Sequence, residues 1–227
     1  MLKKVLIGVV VVLVVCAAVV ATRPASFSVE RSATIPTPPD TAFAQVNDFH
    51  AWAGWSPWEK LDPAMKKVFT GAGTGAGSIF YWSGNDQVGE GRMTMEKSER
   101  PSSIGIKLEF MRPFATTNQT TFTFAPVPEG TKVTWAMAGH NDFLGKAASL
   151  FMDMDKMVGG DFERGLSALS VQAKADFDAR ARAEAEAKIR AQQDAAAAEE
   201  KAKADTEAAA KAAAEEAAAK KKGGKKK

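Results

Sequence analysis

Cysteine is almost absent: the chain of 227 residues has one, Cys16. A disulfide framework within the monomer and a cysteine-ligated metal cluster are thereby excluded. Histidine is nearly as scarce. His50 and His140 stand far apart, and neither lies at ligand spacing from carboxylates, so neither a metal site nor a cofactor is expected. No nucleophile elbow occurs, and no glycine loop ends in Gly-Lys-Ser/Thr. A strong charge bias is missing too. The formal net charge is +3, and residues 25–170 hold 13 basic against 16 acidic side chains. That balance offers nucleic acid no basic face.

What the chain does have begins at its N-terminus. Residues 5–21 form an uninterrupted apolar run of 17 residues. As a helix this run spans ~26 Å, near the short limit for a bilayer core. A helix is required there because unpaired backbone groups in lipid are costly. Lys3 and Lys4 precede the run and Arg23 follows it. The positive-inside rule favours a cytoplasmic N-terminus, a single pass through a bacterial inner membrane and a periplasmic body. The competing reading is a signal peptide, with the small residues Ala18, Ala21 and Thr22 near a cleavage site. A Leu-x-x-Cys pattern from Leu13 to Cys16 resembles a lipoprotein processing site, but Val15 is too bulky for the residue before the cysteine.

The middle of the chain alternates. A linker with four prolines in residues 24–40 leads into a strand at 27–35, stopped by Pro36, Pro38 and Pro39. Asp40 is placed to cap a short helix carrying Phe43 and Val46. An aromatic stretch follows, with Phe49, Trp52, Trp55 and Trp58. From Met65 to Asn141 the period is two, clearest where Ile104, Ile106, Leu108 and Phe110 oppose Gly105, Lys107, Glu109 and Met111. Such alternation predicts antiparallel sheet with one buried face. The Gly71–Gly77 stretch opens a strand rather than a helix, so it reads as a tight loop and not a phosphate cradle. After Asn141 the period becomes helical: Leu144, Phe151, Met154, Val158, Phe162, Leu166 and Leu169 fit one face, with a bend expected at Gly159-Gly160.

Residues 171–227 are almost entirely Ala, Lys, Arg, Glu, Asp and Gln, with 14 basic and 11 acidic side chains. Helix propensity is high but no heptad seam is present. A continuous helix to Lys222 would reach ~75 Å. Gly223-Gly224 is expected to end it, before a basic tip at Lys225 to Lys227. This charge suits contact with anionic surfaces or envelope proteins.

Several pieces together resemble the START-like (SRPBCC) superfamily, in its polyketide cyclase/dehydrase-type branch. They are Ser32-Ala33-Thr34-Ile35-Pro36 with Pro39-Asp40-Thr41-Ala42-Phe43, then Trp55-Ser56-Pro57-Trp58, then the glycine loop leading to Tyr81-Trp82-Ser83-Gly84-Asn85 and Gly89-Glu90-Gly91. The closing amphipathic helix from Leu144 to about Leu169 completes the set. The resemblance covers about residues 26–170. It implies an α+β helix-grip fold: a curved antiparallel sheet of six to seven strands wrapped on a long C-terminal helix, with short helices after the first strand. The expected organisation is an anchor or uncleaved signal at 1–24, the START-like domain at 25–170 and a helical or disordered tail at 171–227.

The family likeness implies a hydrophobic cavity between sheet and helix, not a reaction. Residues expected to meet a lipid-like or other small hydrophobic ligand are Trp58, Tyr81, Met95, Leu108, Phe110, Trp135, Met137, Phe151 and Met154. For each one alone, plain core filling is the simpler role. Tyr81 would add a polar handle if it points inward. Catalytic candidates are Glu59, beside the aromatic stretch, Tyr81 and His140, but no acid–base pair stands at a diagnostic spacing. Three functions follow: a membrane-tethered binding module, contacting the bilayer through residues 5–21; a polyketide cyclase-like or hydrolase-like enzyme; or an envelope interaction protein acting through its tail.

Overall fold

The computed structural model describes residues 2–151 and 153–223. Helix α1 (Leu2–Ala21) is the apolar run. Among the described residues it is the one helix long and apolar enough to cross a membrane, features a signal sequence shares. Seven strands follow: β1 (Ser26–Ile35), β2 (Lys66–Gly71), β3 (Ser78–Ser83), β4 (Glu90–Glu99), β5 (Ser103–Arg112), β6 (Thr116–Val127) and β7 (Gly130–His140). They form one antiparallel sheet in the order β1-β7-β6-β5-β4-β3-β2. Between β1 and β2 lie α2 (Pro39–Asn47) and a 3-10 turn, Ala51–Gly54. After β7 come α3 (Phe143–Ala148) and α4 (Met154–Gly223).

The period-two text sets which side chains face inward. Ile104 and Ile106 are fully buried, and Leu108 and Phe110 continue the same face half-buried. On α4 the buried residues Phe162, Leu166, Leu169 and Ala173 recur at four, three and four, which is one helical face. That face closes the sheet. Buried Trp52 and Trp55 plug the side between α2 and β7. Their indole N–H groups donate to the Val46 and Gln45 carbonyls at 3.0 and 3.2 Å, so these rings are buried without an unmet donor.

Local chemistry departs from expectation in three places. Helix α2 starts at Pro39, whose missing N–H costs nothing there, and Pro38 holds the cap position. Asp40 lies in the first turn instead, where its charge suits the helix N-terminus, and pairs with Arg100 at 2.5 Å. The expected single face from Leu144 to Leu169 is broken, because the chain leaves helix between α3 and α4; Leu144 and Phe151 are exposed. Gly159-Gly160 does not interrupt α4. A Cβ on Gly159 would lie 2.1 Å from Arg31 Nη2, so this glycine makes room for a guanidinium. Arg31, on the inward face of β1, donates to both carboxylate oxygens of Asp155 at 2.9 Å and to Glu163 at 2.7 Å. It thereby fastens the start of α4 to the sheet.

The glycine loop joins β2 to β3. Gly71 and Gly77 have φ of 76° and 88°, a region side chains disfavour, and the Gly77 N–H donates to the Met95 carbonyl at 2.8 Å. One compact unit extends to Phe177 and a second comprises residues 178–227. In the second, side chains are exposed through residue 216, and Glu184–Lys188 and Glu199–Lys203 pair one turn apart at 2.8 and 2.6 Å. Gly224 and the basic tip Lys225 to Lys227 lie outside the described residues.

Candidate functional site

The sheet and α4 do not fill the space between them completely. A cavity of about 210 Å³ remains. Its floor is the inner face of β3, β4 and β5, through Phe80, Trp82, Met93, Leu108 and Phe110, with Met137 from β7. Trp52, Trp58 and Met65 wall one side, and Val158 and Phe162 of α4 form the roof. The rings are held by one another: Phe162 stacks on Trp135 at 4.1 Å, while Trp82 meets Phe110 edge-on at 5.8 Å. Trp82 lies flat across the sheet because Gly91 has no side chain; a Cβ there would stand 2.4 Å from the indole. The Trp82 N–H donates to the Val88 carbonyl at 2.9 Å.

Five polar residues reach this largely hydrocarbon surface: Ser56, Glu59, Gln87, Thr120 and Asp161. Glu59 is ion-paired with Lys67, and Asp161 with Arg164. Both carboxylates therefore bring their own counter-charges. Among the described residues no group of three His, Cys, Asp or Glu side chains is arranged to hold a metal ion.

Of the residues singled out in the sequence, Trp58, Leu108, Phe110, Met137 and the acid Glu59 meet at this cavity. The others lie elsewhere. Met95 and Trp135 point inward but are packed over, Met95 fully buried and Trp135 beneath Phe162. Tyr81 is on the opposite face of the sheet from Phe80 and Trp82. There its hydroxyl donates to Glu90 Oε1 at 2.5 Å, and Arg112 Nε donates to Glu90 Oε2 at 2.9 Å. The Glu90 hydrogen bond, aided by desolvation, pushes the phenol above its ordinary value of 10.0. Glu90 is held below the usual carboxylate range by Tyr81 and then by Arg112. His140 ends β7, exposed. Phe151 is 90% exposed and Met154 half-exposed, outside the cavity.

Sequence reasoning did not single out Trp52, Phe80, Trp82, Val88 and Phe162 as lining residues. Two signals were present. The parity of β3 puts Phe80 and Trp82 on one face and Tyr81 on the other. The four-residue step from Val158 to Phe162 keeps both on one side of α4.

No curated protein sequence shows significant similarity to the chain. Among solved structures, the di-domain ARO/CYC StfQ from the steffimycin biosynthetic pathway matches with a TM-score of 0.50 at 12% identity, over 67% of this chain and 52% of that one. The protein of unknown function SA2116 from Staphylococcus aureus matches with a TM-score of 0.50 at 11% identity, over 70% and 99%. Ara h 8.0201 matches with a TM-score of 0.48 at 13% identity, over 66% and 99%. At these identities the likeness is one of fold. The family model described as polyketide cyclase / dehydrase and lipid transport matches residues 26–174, the whole sheet and the closing part of α4. The chain belongs to that polyketide cyclase / dehydrase and lipid transport family.

Proposed function

We propose that this protein is a membrane-tethered binding module whose cavity takes a small hydrophobic molecule. The observation that carries the reading is the aromatic- and methionine-lined cavity of about 210 Å³ under α4. Its size narrows the ligand. Sites for drug-sized molecules run from about 300 to 1,000 Å³, while an engineered dry cavity of ~150 Å³ holds benzene. A compact hydrophobe or one acyl chain suits this space better than a whole two-chain lipid. Methionine and stacked rings adapt to varied apolar shapes, which favours a class of ligands over a single one. Helix α1 serves as the tether through residues 5–21, with the folded body on the side opposite Lys3 and Lys4. On this reading the body lies in the periplasm of a bacterial envelope.

The test is a cavity-filling substitution. Leu108→Trp adds an indole where the void already exists, so the fold should be retained. Binding of the fluorescent probe 1-anilinonaphthalene-8-sulfonate to the full chain should weaken at least ~10-fold, with thermal unfolding unchanged or raised. Equal binding by the variant would place the ligand elsewhere.

One observation favours a second reading, a cyclase- or hydrolase-like enzyme: the Glu59 carboxylate stands at the cavity wall beside Lys67. In that case Glu59→Gln abolishes turnover while probe binding persists. The charged tail, as an interaction segment, is tested by deleting residues 178–227 and asking whether the remaining chain still supports the same phenotype.

A further inference from the structure

Outside α1, the described residues include 14 exposed large hydrophobic side chains, and six of them fall between positions 143 and 157. They are Phe143 (58% exposed), Leu144, Leu150, Phe151 (90%), Met154 and Met157. A water-soluble surface rarely concentrates such residues without a partner. Of the four charged side chains in this stretch, Lys146, Asp153, Asp155 and Lys156, three are held in ion pairs. Lys156 is paired with Asp153 at 3.4 Å, and Asp155 is taken by Arg31.

The fold fixes where this cluster stands. Four residues, 22–25, separate the end of α1 from β1, and four extended residues reach at most ~14 Å. Strand β1 begins beside the end of β7, with Ser26 opposite His140, and the Asn141 N–H donates to the Ala25 carbonyl at 2.9 Å. The chain then passes directly into α3. Arg23, two residues past α1, donates to the Ser149 carbonyl at 3.4 Å, and Val20 is buried where α1 meets this segment. The exposed cluster and the end of the membrane-length helix therefore occupy the same end of the sheet.

We infer that residues 143–151 and 153–157 dip into the membrane leaflet from which α1 emerges, so that the lipid surface itself is the partner of this face. The inference rests on α1 being a retained anchor. The segment binds through apolar contact, without a requirement for anionic lipid. It also bears on the cavity: Met157 is in lipid, and the next residue, Val158, lines the cavity roof. A ligand dissolved in the leaflet is thus one residue of chain from its binding site.

The test uses the full chain, with Cys16→Ser, reconstituted into phosphatidylcholine vesicles. Single cysteines at Phe151→Cys, Leu150→Cys, Val10→Cys and Glu129→Cys carry the environment-sensitive fluorophore NBD. Glu129 is in the turn at the far end of β7. Nitroxide lipids labelled near the headgroup should quench the fluorophore at 150 and 151 about twofold, as for segments lying ~5–10 Å into the interface. The label at 129 should be unaffected, and 0.5 M salt should change nothing. Quenching by deep nitroxides at position 10 but none at 150 or 151 overturns the docking inference and leaves the anchor standing. No quenching at position 10 removes the anchor, and the inference with it.

Discussion

Phe162 is the residue on which cavity and stability meet most directly. It is 1% exposed, stacks face to face on Trp135 at 4.1 Å with planes 9° apart, and forms part of the cavity roof. Phe162→Ala in a fully packed core would cost about 3–5 kcal/mol, and an aromatic pair adds ~0.5–1.5 kcal/mol. Here one side of the ring borders a void of about 210 Å³ and has no partner atoms to lose. The expected loss is therefore at the lower end, about 3 kcal/mol, which lowers the melting temperature by ~6–12 °C for a chain of this size. Thermal unfolding of the detergent-solubilised full chain, followed by tryptophan fluorescence, reads it. Met95→Ala is the comparator, fully buried and away from the cavity, with an expected cost of about 2–5 kcal/mol. The smaller methionine should cost as much as the larger phenylalanine. A Phe162→Ala loss below ~1 kcal/mol, or one well above ~5 kcal/mol, would refute the reasoning.

Neighbouring glycines should respond with opposite signs. Gly159→Ala drives a methyl into the Arg31 guanidinium and lowers the melting temperature, whereas Gly160→Ala, whose nearest neighbour would be Arg164 at 3.6 Å, stabilises α4 by about 0.5–1 kcal/mol. The Arg31 hydrogen bond holds the Asp155 carboxyl below its ordinary value of 3.8. A depressed carboxylate contributes stability above the unfolded value and loses it as pH falls through the folded one. The hold of α4 on β1 should thus weaken from about pH 4 downward, and Asp155→Asn should flatten that acid limb of the melting-temperature profile. Tyr81 is the one tyrosine in the chain, so phenolate absorbance near 295 nm reports it alone. Its midpoint should lie above 10.0 and return toward that value in Glu90→Gln, while Tyr81→Phe leaves probe binding unchanged because the ring is on the outer face.

The parts of the fold that follow from period were legible. Alternation from Ile104 to Phe110 identifies a half-buried antiparallel strand, and the structure shows those residues facing inward. The helix-grip class followed from the order of such segments and from family likeness, and the seven-stranded sheet with its C-terminal helix agrees. What periodicity does not carry is the distance between layers. Met93 and Met95 share a face, yet Met93 lines the cavity and Met95 does not, because other side chains cover that part of the sheet. Trp135 is likewise sealed by Phe162, a contact between residues far apart in sequence. Gly159 was ambiguous for the same reason: a bend and a close approach look identical until Arg31 is seen beside it. Leu144 and Phe151 keep helical spacing, but the break between α3 and α4 turns them away from the core.

Binding of a small hydrophobe in the cavity, as proposed, is driven by burial alone. Calorimetric titration of the full chain with alkanoates from hexanoate to dodecanoate tests it most directly. Each buried methylene is worth ~0.8 kcal/mol, or about fourfold in affinity. Affinity should climb by that step until the roughly 210 Å³ are filled and then level off, and Leu108→Trp should shift the plateau to shorter chains. Affinity independent of chain length, or a plateau that Leu108→Trp does not move, would contradict it.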